Sequence, residues 1–359
     1  MHIVYYITGH GYGHGVRGSA LCNALEPSVR LSFRTALPRR FFEEEIARPF
    51  AYHAVEYDCG CIQNDSLSVD IEKTLQSYMD IARRNSRLFE QEVRQVRDMG
   101  PDAIISDITP FAFEVAREAG VASIAVTNFT WYDIYEPYVS VQPSFRPYLD
   151  HMARQYSLAD LVIALSPANA MEPFTAARYF ASVIGRSGRD RGMELRDRFA
   201  IPVSKRIGLI YAGTFGLDSI DWSNLAQFKD WEFIGVYPLP NQAGNYHLVN
   251  KSEFRYQDLM ASVDCVITKI GYGVYAECLL HGLPLIYAPR KDFAEHAILE
   301  QGVKTWGGAI RLEEQPFLAL QWHDALKRVA RMNPPAPKAN AAPHVAGLVQ
   351  DFVRARNGG

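Results

Sequence analysis

The sequence predicts an α/β protein built from two doubly wound, Rossmann-like domains that face a cleft. Three observations carry that prediction. Short apolar runs of strand length alternate with helical patterns, a strand, glycine-turn, helix unit occurs in each half, and a glycine-rich basic segment at 185–192 separates the halves. A chain of 359 residues is long enough for two separate cores. The expected division is residues 1–185, residues 186–333, and a Pro-rich linker with a terminal helix over 334–359 that returns to the first domain.

The first half opens with the apolar run 2–6, followed by Ile7-Thr8-Gly9-His10-Gly11-Tyr12-Gly13-His14-Gly15 and a helical pattern at 17–24. Residues 29–35 alternate like a half-buried strand. Residues 54–57 read as a further short strand, and 58–66 as a polar loop. The stretch 71–99 holds one or two amphipathic helices closed by Gly100-Pro101. A strand at 102–107, a helix at 111–119 stopped by Gly120, a strand at 121–127, a helix near 147–156 and a strand at 161–165 complete this half.

The arginines of 185–192 read as a solvated linker and helix start. The second half repeats the pattern with a strand at 207–212, the turn Gly213-Thr214-Phe215-Gly216, a strand at 231–236, a helix at 256–262 and a strand at 265–268. Then come Lys269-Ile270-Gly271-Tyr272-Gly273, a helix stopped by Gly282, a strand at 285–288, a polar loop at 289–292 and a helix carrying Glu295 and His296. Residues 345–354 form the amphipathic terminal helix.

Composition narrows the function classes. A formal net charge of -3 gives no electrostatic case for nucleic acid or an acidic membrane as partner. No signal peptide precedes the first strand and no apolar run reaches spanning length, so a cytoplasmic protein without a transmembrane segment is expected. Cys22, Cys59, Cys61, Cys265 and Cys278 read as reduced thiols, and Cys59-Gly60-Cys61 lacks the spacing of a zinc site.

The turns carry the chemistry. The first departs from Gly-x-Gly-x-x-Gly, since its glycines fall at 9, 11, 13 and 15, and it lacks the Gly-Lys-Ser/Thr ending of a Walker loop. Its histidines either cap local backbone or, with an ordinary imidazole pKa of ~6.5, serve as a base toward a polar substrate. His14 is the favoured base; His10 is a substrate contact or alternate base. Gly13, Asp107, Asn128 and Trp131 lie at the same predicted sheet edge and form the expected acceptor side, the last three being otherwise cap or turn residues. The aromatics Phe129, Trp131, Tyr132, Tyr135 and Tyr138 line that acceptor site or pack as core.

In the second half, Gly213, Thr214, Gly271, Tyr272 and Gly273 open toward helix N-termini that suit a pyrophosphate. Glu277, one turn into its helix, either accepts two hydrogen bonds from a ribose diol or is an ordinary exposed glutamate. With no Asp-x-Asp and no metal-ligand spacing, a diphosphate leaving group would rest on backbone dipoles and on Thr214, Lys269 or Arg290. This is the logic of sugar transfer from a nucleoside-diphosphate sugar, a donor substrate, with no metal or cofactor.

The two-domain plan, the first glycine loop ending in His14, and 271–284 with Glu277 resemble the GT-B glycosyltransferases of the MurG and UDP-glycosyltransferase type. Tyr5 to His14, Asp58-Cys59-Gly60, Ser106-Asp107, Val126 to Trp131 and Thr268 to Gly273 are most similar to the glycosyltransferase-like N-terminal region of plant L-arabinokinase and its stand-alone bacterial relatives. The resemblance implies a second domain that holds the nucleotide sugar with Glu277 at the ribose, a base in the first loop, UDP as carrier, and a small-molecule or glycan acceptor. Glu295-His296 stands where UDP-glycosyltransferases have Asp-Gln, at the donor sugar. The sugar-kinase half has no counterpart here, and no kinase activity is expected. Nucleotide-sugar hydrolysis or 2-epimerisation using Asp107 or Glu295, or sensing without turnover, are the alternatives on this scaffold.

Overall fold

The structure, a computed structural model, describes residues 1–63, 68–211, 220–289 and 293–358. One sheet is formed by β1 (His2–Ile7), β2 (Arg30–Thr35), β3 (Ala51–Ala54), β4 (Ala103–Asp107), β5 (Ala122–Thr127), β6 (Leu161–Leu165) and β7 (Arg178–Ala181). The other is formed by β8 (Arg206–Tyr211), β9 (Trp231–Gly235), β10 (Tyr246–Leu248), β11 (Cys265–Lys269), β12 (Leu285–Ala288) and β13 (Ala309–Arg311). Helices α1 (Tyr12–Ala24), α2 (Arg39–Glu45), α3 (Ile71–Met99), α4 (Phe111–Ala119), α5 (Trp131–Tyr135) and α6 (Arg146–Tyr156) accompany the first sheet. With the second go α7 (Gly192–Phe199), α8 (Tyr256–Ser262), α9 (Tyr272–His281), α10 (Glu295–Trp306), α11 (Glu314–Leu318) and α12 (His323–Arg331); α13 (Ala342–Asn357) ends the described chain.

The strand orders are β3-β2-β1-β4-β5-β6-β7 and β10-β9-β8-β11-β12-β13, and neighbouring strands run parallel. Both are doubly wound sheets that reverse direction of growth at their centre. Helices cover both faces, which is why β1 and β5 are buried at every residue and read as continuous apolar runs rather than alternating ones. Register brings Ile7 opposite Asp107 in the first sheet and Thr268 opposite Tyr211 in the second, so the carboxyl ends line up on one edge of each.

Several elements differ from the sequence reading for local reasons. The third strand is Ala51–Ala54 rather than 54–57, because Ser32–Thr35 of β2 take 51–54 as their partners and the chain leaves the ladder at Val55. Helix α1 starts at Tyr12, not 17, immediately after Gly11 turns at φ 140°, a backbone conformation that favours glycine. Residues 71–99 are one helix, capped by the Asp70 carboxylate on the Lys73 N–H and ended by Gly100 at φ 54°. The edge strands β7, β10 and β13 and the short helices α2 and α11 were not expected. Each buries one residue, too few to leave a periodic trace.

Helix α13 lies against α1 of the first sheet. Val345, Val349 and Val353 turn inward into the cluster that includes Leu21 and Leu25, while Gln350 accepts from the Glu26 N–H at 3.0 Å and Arg356 pairs with Asp160 at 2.9 Å. Among the described residues no helix is long and apolar enough to cross a membrane. Leu21, without exposed surface, sits in the cluster that α13 helps to close. Leu21→Ala is expected to cost about 2–5 kcal/mol of stability. Urea unfolding checks this, and a loss well below 1 kcal/mol would contradict the packing described.

Candidate active site between the two sheets

Each sheet has its switch point between its central strands, β1 and β4 in the first and β8 and β11 in the second, and crevices outside such points are where open α/β sheets bind ligands. The two switch points face each other. Helices α1 and α9, which start there, pack together, and the Cα of Gly13 lies 3.5 Å from where a Cβ would stand on Gly273.

On the first side, His14 and Asp107 come together. The Asp107 carboxylate has no exposed surface, and its Oδ1 is 2.9 Å from His14 Nδ1. Arg17, one helical turn after His14, takes the same carboxylate with Nε and Nη2, both at 2.5 Å, and Nη2 also lies 3.0 Å from His14 Nδ1. Burial alone would raise the Asp107 carboxyl, but Arg17 and His14 outweigh it and hold the group below the usual carboxylate range. An imidazole that donates Nδ1–H to a carboxylate presents its other nitrogen, Nε2, as a proton acceptor. The turn that delivers Asp107 is strained, since Ile108 has φ 65°, which costs a β-branched residue about 1–3 kcal/mol. Tyr156 Oη holds it by donating to the Ile108 carbonyl at 2.6 Å.

His10 sits in a different setting. The Cys61 N–H donates to its Nδ1 at 3.2 Å, so a neutral ring carries its proton on Nε2 and acts as a donor there. Gly60, at φ 60°, lies so close beneath the ring that an added Cβ would be 2.1 Å from Nδ1. Trp131 meets the ring edge-on at 5.2 Å and Phe293, from the second half, stacks on it at 5.9 Å. Trp131, Tyr135 and Tyr138 are buried core aromatics. Asp58, which the sequence reading placed in a motif but gave no role, accepts from Thr8 and, at 2.6 Å, from Thr109. Burial pushes its carboxyl above the usual range, with the threonine hydroxyls pulling the other way.

On the second side, Lys269, Gly271, Tyr272 and Gly273 lie at the end of β11 and the start of α9 as the spacing indicates. Gly213, Thr214 and Arg290 fall outside the described residues. Tyr272 reaches across: its ring lies under Arg17, with the guanidinium carbon 4.9 Å from the centroid, and its hydroxyl accepts from the Ile184 N–H at 3.4 Å. Glu295 also crosses, accepting from Asn128 Nδ2 at 2.8 Å, and Asn128 Oδ1 accepts from Arg17 Nη1. His296 Nε2 lies 3.6 Å from Glu300 Oε2 on the same helix.

Glu277 is neither exposed nor an ordinary helix glutamate. It is 1% exposed, and Arg186 holds it through Nε at 2.6 Å and Nη2 at 3.4 Å. Arg186 Nη1 donates in turn to Glu45 of α2 at 2.6 Å. Reading 185–192 as solvated linker is therefore wrong at Arg186, whose guanidinium bridges a carboxylate from each side. Composition marks a linker but not the two acidic partners that bury one of its arginines.

The comparisons agree with this fold. The structure is similar to that of Phytolacca americana UGT2 complexed with UDP-2-fluoroglucose and pterostilbene, with a TM-score of 0.63 and 14% identity over 98% of this chain and 94% of that one. It is equally similar to S. aureus MnaA in its UDP co-structure, with a TM-score of 0.62 and 12% identity over 98% of this chain and 97% of that one. The fold is GT-B. In sequence the chain is 28% identical over 339 residues to L-arabinokinase of Arabidopsis thaliana, a match that takes in 92% of this chain but 32% of that protein. No protein-family model matches. The GT-B frame explains the two facing switch points, and the similarity to L-arabinokinase agrees with the motifs noted in sequence.

Removing one partner from a buried ion pair leaves a charge that water cannot reach, at a cost of about 3–5 kcal/mol. Arg186→Met strands both Glu277 and Glu45 and is expected to destabilise the protein by that order in urea unfolding. A change below about 1 kcal/mol would show that the bridge does not hold the two halves.

Proposed function

We propose that this chain is a metal-independent, inverting glycosyltransferase that moves a sugar from a nucleoside-diphosphate sugar, with UDP as carrier, to a hydroxyl acceptor that is a small molecule or glycan. The His14–Asp107 pair at the mouth of the first switch point is the observation that carries this reading. His14 Nε2 takes the proton of the acceptor hydroxyl. The acceptor oxygen forms its bond to the anomeric carbon from the face opposite the diphosphate, and the bond to the phosphate oxygen breaks with its electrons leaving on UDP. Asp107 fixes the ring and offsets the imidazolium that forms.

The donor lies along the second side. The N–H groups at the start of α9, after Gly271 and through Gly273, face the diphosphate with Lys269 beside them. Glu277 receives the ribose diol by giving up its longer bond from Arg186, the one at 3.4 Å. Glu295 and His296 lie on the donor-sugar side, Gly13, Asn128 and Trp131 on the acceptor side. His10 donates Nε2–H to the substrate and is not the base, since Cys61 already occupies Nδ1. UDP as carrier is supported by the nucleotides bound in the similar UGT2 and MnaA structures. A cytoplasmic place of action fits cysteines that form no disulfide among the described residues.

The test is release of UDP from UDP-sugars in the presence of a panel of hydroxyl acceptors. His14→Ala is expected to lower kcat/KM by about 10²–10⁴-fold with donor binding retained. An unchanged rate would contradict the assignment of the base. Sugar release without any acceptor would turn the reading to hydrolysis.

A further inference from the structure

Arg17 touches His14, Asp107 and Asn128 of the first side and Tyr272 of the second, and the transfer reading gives it no task. Its side chain is 2% exposed. Nε and Nη2 hold Asp107, Nη1 donates to Asn128, and the guanidinium face rests on Tyr272. Two of these contacts are second-side contacts in effect, because Tyr272 starts α9 and Asn128 is itself held by Glu295 of α10.

This arrangement differs from a simple histidine–carboxylate pair. There, the carboxylate's whole charge faces the ring and favours its protonated form. Here two donors, His14 Nδ1 and Arg17 Nη2, converge on one oxygen, Asp107 Oδ1, and a fixed positive charge stands 3.0 Å from the ring nitrogen. The charged and titratable groups around His14 are Arg17 on its own helix, Asp107 at the end of β4, Asp58 after β3, and, beyond Arg17, Tyr272 and Glu295 from the second side.

We propose that Arg17 is a positioning residue that screens His14 from the Asp107 charge, so that the carboxylate orients the ring without trapping it as the imidazolium. The second side completes the screen, since Tyr272 lies under the guanidinium and Glu295 holds the Asn128 to which it donates. A base so poised accepts a proton during the reaction and gives it up afterwards. This inference rests on His14 as the base, but its test needs no substrate.

The experiment is a pH titration of the full chain labelled with ¹⁵N-histidine, the His14 signals being assigned by their loss in His14→Gln. Arg17→Met is expected to move the His14 titration midpoint up by about one pH unit or more, because Asp107 then faces the ring unopposed. Arg17→Lys, which keeps the charge, is expected to hold the midpoint near that of the unaltered protein. An unmoved or lowered midpoint in Arg17→Met would overturn the proposal. Should Arg17→Met fail to fold, Arg17→Gln, which keeps an amide donor toward Asp107 but no charge, decides: the midpoint is expected to rise by about one unit or more, and an unmoved or lowered one overturns the screen. A failed titration leaves the donor-site reading standing, and a failure to bind nucleotide leaves the titration result standing.

Discussion

A carboxylate with no exposed surface must be matched by buried donors, and at Asp107 that requirement ties the molecule together. Its position at the end of β4 is fixed by register with Ile7 of β1, and the strained turn at Ile108 aims it. Its partners come from α1, which can start where it does because Gly11 turns the chain sharply after β1. The same guanidinium that answers Asp107 is the surface on which the second side rests. Strand register, helix start and the meeting of the two sheets thus converge on one buried charge pair.

A second buried bridge works in parallel. Glu45, Arg186 and Glu277 link α2 to α9 through the connecting segment. Taken with Asn128–Glu295 and the Phe293–His10 stack, it gives a cleft whose walls meet through polar contacts set beside buried apolar clusters that take in residues of both halves. Polar contacts of this kind can be exchanged for contacts to a diphosphate, a ribose or a sugar, which is what an interdomain site for a nucleotide sugar needs.

Much of this was legible in the sequence because it is local. The glycine turns, the apolar strand runs and the polar residues just past strand ends marked the switch-point edge, and His14, Asp107, Asn128, Lys269 and Tyr272 are found there. Arg17 was not read as part of the site, since its partners Asp107 and Asn128 lie 90 and 111 residues away. The usable signal was its place three residues after His14, on the same helix face. Arg186 was misread for the same reason, with its carboxylates 91 and 141 residues distant. Strands β7, β10 and β13 escaped notice because edge strands take their conformation from a neighbour more than from their own pattern.

The claim on which the rest depends is that the second side of the cleft receives a nucleoside diphosphate with Glu277 at its ribose. The most direct measurement is the thermal stabilisation of the protein across a panel of nucleotides and nucleotide sugars, repeated in Glu277→Ala. The expected result is a selective upward shift with UDP or a UDP-sugar that is lost in the variant. No shift with any nucleotide, or the same shift in Glu277→Ala, would contradict the donor site described.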